Sequence, residues 1–320
     1  MLYGILVATK SGDDAVHVTQ RAAMLAGGLK DATLDIFSVV TPAGTRRIVS
    51  WMRRSEHHAE WSEQERAMQS LSCQSAYLRE QYGIRCTVAS GVGTLAAQVA
   101  ARVRTTAVDM VVLGASNPRW THSSTGAGEA ARIARMSGRP VLLVRNEASS
   151  AYARIAIPVD FSDDALRVTE TVMRLLPEAH ITFLHSYRIA EQGTMASAGL
   201  IDQTVDNFRL RAQRRAHAAF SIFLERLGRP LTKFSLVLTA QPEALATRTY
   251  LRTVKPDLIA LADGAHSLLF GWLNESTSWT VLNDTRCDML LLEPASARCV
   301  RHAPNASSIS CAPAAREHSN

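Results

Sequence analysis

At 320 residues, with 47% hydrophobic and 20% charged side chains, the chain has the length of about two domains and enough apolar content to bury a core in each. That balance excludes a disordered chain, and with no run of 18 apolar residues there is no candidate membrane span. The net charge of +6 is modest and is not gathered into one stripe, so no nucleic-acid partner is expected.

The strongest basic cluster is Arg46, Arg47, Arg53 and Arg54, interleaved with Ile48, Val49, Trp51 and Met52. It reads as a mobile, partly helical connection, with a partner or membrane-surface patch as the sharper alternative. The five cysteines, Cys73, Cys86, Cys287, Cys299 and Cys311, form no C-x-x-C pair, which suits reduced cytosolic thiols rather than a disulfide framework or zinc site. Met1–Ala8 is apolar without a basic start or a small-residue cleavage site, so it is expected to be a first buried strand rather than a signal peptide.

From that strand onward, Tyr3–Thr9 is a short apolar run suited to a parallel strand buried on both faces. A helix follows over residues 13–29, with Ala15, Val18, Ala22, Leu25 and Ala26 at helical spacing and Asp13 and Asp14 near its positive end. Further strands are expected at 32–40, 84–89, 109–114 and 140–145, and helices at 57–82, 94–106 and 128–137. Gly91-Val-Gly93 is read as the turn before the third helix. The series then starts again. Residues 5–15, ILVATKSGDDA, match residues 155–165, IAIPVDFSDDA, at an offset of 150. Asp109–Gly114 matches Asp257–Ala262, and Val141–Val144 matches Met289–Leu292, both at an offset of 148. The second copy has strands near 154–159, 180–186, 232–238, 257–262 and 288–292, and a long helix near 203–227 with Phe208, Ala212, Ala219, Phe223 and Leu227 on one face. The tail 295–320, rich in Ala, Ser, Pro and Arg, is expected to be disordered.

Strands alternating with helices imply a parallel sheet covered on both faces, and right-handed crossovers make it doubly wound. In such sheets ligands sit beyond the carboxyl ends of the strands, at the point where the strand order reverses. The loops to examine are therefore 9–14 and 114–128 in the first copy, and 159–164 and 262–276 in the second.

In strand pattern, element order and loop position, both copies resemble the universal stress protein family nearly end to end. The resemblance implies two tandem, Rossmann-like α/β/α sandwich domains of strand order 3-2-1-4-5, taken as residues 1–147 and 151–294. It also implies pairing of the two domains through their last strands, 140–145 against 288–292, inside one chain. Many members of the family bind ATP through a Gly-x-x-Gly, nine residues, Gly-Ser/Thr motif after strand four, aided by an Asp at the end of strand one. Others lack the motif. The family's general role is regulation under stress, and it shares no catalytic reaction.

The motif has a physical basis: glycines let the backbone approach phosphates, and the N–H groups of a helix start bind the anion. In the first copy, Gly114 stands at the first glycine, Asn117 at the second, and Ala127 at the third, with Gly126 and Gly128 on either side. The strand-one Asp is replaced by Lys10, next to Thr9. In the second copy the losses are reversed. Asp160 stands where the family has its Asp, whereas the glycine positions hold Ala262, Ala265 and Glu275, leaving Ser276 and Thr277 as the hydroxyl end of a vestigial site. ATP is thus the candidate cofactor for the first copy, with no metal expected beyond nucleotide-bound magnesium. The structural alternatives are that Gly126 and Gly128 only admit a helix start, that Gly114 ends a strand, and that Asp160 caps the helix beginning near Ser162.

Other chemistries find less support. Lys10–Asp14 lacks the second glycine and final serine of an ATP-pyrophosphatase loop, and neither a P-loop nor a nucleophile elbow occurs. His57, His58 and Glu60 have no ligand partners at metal spacing. His185 reads as a satisfied strand histidine. No general base stands in the loops for a slow nucleotide hydrolase, so no enzyme activity is expected. The expectation is a cytoplasmic regulatory or adaptor protein acting on unidentified protein partners, with adenine-nucleotide binding in the first copy. The alternative is a scaffold that binds no nucleotide.

Overall fold

The computed structural model describes residues 3–10, 15–40, 56–115, 126–187, 202–228, 233–262 and 287–293. The first copy runs β1 (Tyr3–Lys10), α1 (Ala15–Gly27), β2 (Ala32–Val40), α2 (Glu56–Tyr82), β3 (Arg85–Val92), α3 (Leu95–Thr105), β4 (Met110–Gly114), α4 (Gly126–Ser137) and β5 (Val141–Val144). The second runs β6 (Arg154–Pro158), α5 (Asp163–Leu175), β7 (His180–Ser186), α6 (Asp202–Leu227), β8 (Phe234–Thr239), α7 (Glu243–Val254), β9 (Leu258–Ala262) and β10 (Asp288–Leu292). The basic cluster at 46–54, Asn117, Ser276, Thr277 and the tail 295–320 lie outside the described residues, as do the side chains of Lys10, His57, His58 and Glu60.

The strands form one sheet in the order β3-β2-β1-β4-β5-β10-β9-β6-β7-β8. Each half reads 3-2-1-4-5 from its outer edge inward, the order that the resemblance implied. Alternate residues of β1 divide the core: Ile5 and Val7 join one buried cluster, while Leu6 and Ala8 join the other. The first cluster packs Val18 and Ala22 of α1, Leu78 of α2, Val168 and Val172 of α5 and Phe223 of α6. The second packs Val99 of α3, Ile133 of α4 and Leu251 of α7. Helices on both faces explain why the strands read as continuous apolar runs rather than alternating ones.

The repeated aspartates found at the 148-residue offset do the same work in both copies. Asp109 accepts the Gly4 N–H at 3.0 Å, and its own N–H donates to the Gly4 carbonyl at 2.8 Å. Asp257 accepts the N–H groups of Ala153 and Arg154 at 2.9 and 2.8 Å. Each carboxylate pins the start of strand one to the start of strand four. One expectation needs correction: Gly91 and Val92 are not a turn but lie within β3, paired with Val39 and Val40. A glycine without a side chain can stay in the ladder, and only Gly93, at φ 144°, makes the turn.

The copies meet where β5 and β10 pair antiparallel, with Leu142 opposite Leu290. The junction centres on Asp288, which is 0% exposed. Its Oδ1 accepts the N–H groups of Arg145 (2.7 Å) and Asn146 (3.1 Å) and the Asn146 side-chain amide (3.2 Å). Its Oδ2 accepts the Tyr152 hydroxyl at 2.5 Å and lies 3.7 Å from Arg21 Nε. The Arg21 guanidinium sits 4.2 Å over the Tyr152 ring and donates to the Ser150 carbonyl at 2.6 Å. Burial first, and the Asp288 charge second, push the Tyr152 phenol well above its ordinary value of 10.0. An unfolded chain therefore loses this proton before the folded one does, so the stabilisation it carries is complete below pH 10.0 and fades as pH rises past it.

With β10 absent, the apolar edge of β5 has no cover. A fragment of residues 1–150 is expected to dimerise by pairing two β5 edges, read as a dimer mass in sedimentation at tens of micromolar. A monomer at every concentration would count against this role for the edge.

Candidate functional site

β1 lies between β2 and β4, and the sheet order reverses there. α1, which follows β1, packs on one face, and α4, which follows β4, packs on the other. The crevice at the carboxyl ends of β1 and β4 is thus the candidate ligand site of the first copy by topology. The register pairs Ala8 with Leu113, which brings the strand ends Thr9 and Lys10 beside Gly114.

Gly114 has a packing role independent of any ligand. A Cβ there would lie 2.8 Å from Val18 Cγ2, closer than real contacts allow. Gly114→Ala is expected to destabilise the protein by about 1–3 kcal/mol in chemical denaturation, and Val18→Ala in the same chain should recover part of that loss. An unchanged midpoint would show that α1 gives way freely.

α4 begins at Gly126, so Gly126, Ala127 and Gly128 form its first turn and contribute the N–H groups that a helix cannot pair internally. The Ala127 side chain is 0% exposed in the core, so only its backbone can face a ligand; Gly128 is half-buried. Glu129 in the same turn is an acid close to those donors and opposes an anion. Thr9 is buried, at 6% exposure. The helix start after β4 is thus built of small residues, and the sequence has Lys10 at the end of β1.

In the second copy Asp160 is engaged locally. Its Oδ1 accepts the Ser162 N–H at 3.0 Å, and Ser162 caps α5 by accepting the Ala165 N–H at 3.3 Å. Between them, Phe161 takes φ 63°, turning its ring inward. The ring lies 4.3 Å from His185 and 5.7 Å from Phe223. His185 Nδ1 is 2.8 Å from the Val159 carbonyl, and since a carbonyl only accepts, Nδ1 carries the proton. An aromatic stack thus supports the loop after β6 from below. It is a feature that spacing alone did not signal.

Among the described residues no group of three or more His, Cys, Asp or Glu could hold a metal ion. Among the described residues, Cys73, Cys86 and Cys287 form no disulfide. No described helix is long and apolar enough to cross a membrane. The junction around Asp288 also borders a cavity of about 570 Å³ between the copies, walled by Arg21, Tyr152, Lys255 and Asp257 among others. Arg21 faces Asp288 in its wall, a pair that sequence reasoning did not find.

Doubly wound halves of order 3-2-1-4-5, each with its crevice at strands one and four and joined edge to edge, define a class of tandem Rossmann-like proteins. The model of the universal stress protein family matches residues 1–145 and again 151–293, and the chain belongs to that family. In the solved structures it is similar to a universal stress protein from Archaeoglobus fulgidus, with 13% identity, a TM-score of 0.62 and 91% and 98% of the two chains covered. It is also similar to a protein of unknown function from Pseudomonas aeruginosa PAO1, with 15% identity, a TM-score of 0.57 and coverage of 93% and 94%. At such identities these likenesses show the fold. No curated protein matches the chain.

Proposed function

We propose that the protein is a cytoplasmic stress-response regulator built of units 1–147 and 151–294, in which the first unit takes an adenine nucleotide and the second serves as its fixed structural partner. The observation that carries this reading is the placement of the Gly126-Ala127-Gly128 turn at the start of α4, following the strand beside Thr9 and Lys10. Backbone N–H groups at such a turn suit phosphate oxygens, and small residues leave room for a close approach. Lys10, replacing the family's Asp, would contribute a cation to the same crevice. Thr9, Gly114 and Asn117 complete the candidate set, and magnesium would arrive with the nucleotide. The second unit has Asp160 held by Ser162, with Ser276 and Thr277 as remnants.

The test is calorimetric titration of ATP into the nucleotide-free protein, with Gly128→Glu as control. Saturable binding at about one site per chain, weakened at least tenfold by Gly128→Glu, is the expected result. Absence of heat, and of any melting shift at millimolar ATP, would favour the second reading. That reading is a non-nucleotide adaptor acting through protein partners, and it is favoured by Glu129 in the first turn of α4.

A further inference from the structure

The 148-residue offset that aligns strands four and five also aligns the helices before strand four, α3 and α7, and comparison of the two copies there exposes a difference. In the first copy α3 covers β2 and β3, and the space between them is full. Phe37 is 4% exposed, and a Cβ on Gly91 would meet Gln98 Oε1 at 2.7 Å and Phe37 Cζ at 2.9 Å. Arg102 closes this face, holding both oxygens of Asp35 at 2.7 and 3.0 Å with its guanidinium 5.8 Å from the Phe37 ring.

In the second copy α7 covers β7 and β8 in the same way. The first-turn bonds Gln98 N–H to Thr94 carbonyl and Ala246 N–H to Pro242 carbonyl, both 3.0 Å, place Ala246 where Gln98 stands. The strand registers place Leu184 at Phe37 and Thr239 at Gly91. Two large fillers, Phe37 and Gln98, are thus replaced by the smaller Leu184 and Ala246, against the one added side chain of Thr239. The Asp35–Arg102 pair gives way to Thr182 and Tyr250. What results is a cavity of about 260 Å³ between α7 and the carboxyl halves of β7 and β8. It opens at the sheet edge, where Val237 and Val254 are each 38% exposed.

Three of the hydroxyls around this cavity are engaged, Thr249 and Tyr250 reach solvent, and Thr247 is buried. Ser186 donates to the Gln241 carbonyl at 2.5 Å, Thr239 accepts the Gln241 N–H at 3.1 Å, and Thr253 donates to the Thr249 carbonyl at 2.8 Å. Thr247 is 3% exposed, borders the cavity, and its Oγ1 has no hydrogen-bond partner among the described residues. A buried hydroxyl without a partner is unfavourable unless something in the space beside it supplies one.

We propose that this cavity is a second small-molecule site, distinct from the β1–β4 crevice, that takes an uncharged flat ring compound of one or two fused rings bearing one hydrogen-bonding group for Thr247. Among the described residues the walls hold no Asp, Glu, Lys or Arg, so a charged ligand would lose its hydration without gaining a counter-charge from them. The volume exceeds the roughly 150 Å³ that accommodates benzene, which sets the size at about a bicyclic ring. The one buried wall hydroxyl without a partner among the described residues sets the number of polar groups.

Indole is the probe. Titrated into the full chain with methyl-labelled threonine and valine, it is expected to shift the Thr247, Val237 and Val254 methyl signals saturably, with a dissociation constant below about 1 mM. Leu184→Phe with Ala246→Gln rebuilds the first copy's own packing and should weaken indole at least tenfold without lowering the melting temperature. If that double variant fails to fold, Thr247→Val decides, since it keeps the shape and removes only the hydroxyl. In the natural chain indole should bind about fivefold more tightly than indene, which has no N–H, and in Thr247→Val the two should bind alike. Absence of methyl shifts at millimolar indole, binding undiminished in the filled variant, or equal binding of indole and indene by the natural chain would each overturn the proposal.

Discussion

Asp288→Ala is expected to lower stability by about 3–5 kcal/mol, measured as the shift of the guanidinium denaturation midpoint. The carboxylate is fully buried and accepts four hydrogen bonds from Arg145, Asn146 and Tyr152 while facing Arg21. Its removal strands a guanidinium that is itself only 5% exposed, two backbone N–H groups and a phenol. Asp288→Asn should cost less, because an amide oxygen still accepts, but the charge facing Arg21 is gone. Combining Asp288→Ala with Arg21→Met removes both charges, so the double variant should be less damaged than the two single losses added together. Strict additivity would mean that Arg21 is held by Tyr152 and the Ser150 carbonyl rather than by the acid. The location magnifies the effect. Asp288 begins β10, Arg145 and Asn146 follow β5, Tyr152 precedes β6, and Arg21 lies on α1, so one carboxylate ties both copies and their connection together.

That hub was hidden in the sequence, and the reason is distance along the chain. Asp288 stands 143 residues from Arg145 and 136 from Tyr152, and nothing in local periodicity joins them. The one available signal was Arg21, a charged residue within the apolar face of Val18, Ala22 and Leu25, the kind of position that needs a buried partner. What could be read was whatever recurs or alternates. The repeated Asp109 and Asp257, the two-sided apolar strands and the two offsets indicate two copies of a doubly wound fold, while the sheet order and the pairing of β5 with β10 were implied by the resemblance to the universal stress protein family. The candidate nucleotide site was legible only in outline. Spacing placed Gly114 and the 126–128 turn at the crevice, but it did not show that Gly114 is required by Val18, that the Ala127 methyl belongs to the core, or that Asp160 is tied to Ser162. The cavity beside Thr247 could have been found from the 148-residue offset, which sets Ala246 against Gln98, had the repeat been compared for side-chain volume as well as for pattern.

The aromatic stack beneath the β6 loop carries the second large effect. Phe183 is 0% exposed, and its ring meets Phe220 at 5.3 Å and Phe223 at 5.8 Å, both edge-on, with Phe234 at 6.4 Å. Phe183→Ala is therefore expected to cost about 3–5 kcal/mol through lost burial and the cavity left behind, read from the denaturation midpoint of the full chain. Phe183→Leu, which keeps most of the volume, should cost less than about 1.5 kcal/mol. The two variants separate packing from position. Phe220 and Phe223 support Phe161, whose left-handed backbone holds the turn between Asp160 and Ser162. If the stack sets that turn, Phe183→Ala should also increase amide exchange at Ser162 and Ala165, whereas Phe183→Leu should leave it unchanged. Loss of stability without any change at those amides would confine Phe183 to the core. It would also leave the Asp160 turn supported by its own hydrogen bond and by the Ser162 cap alone.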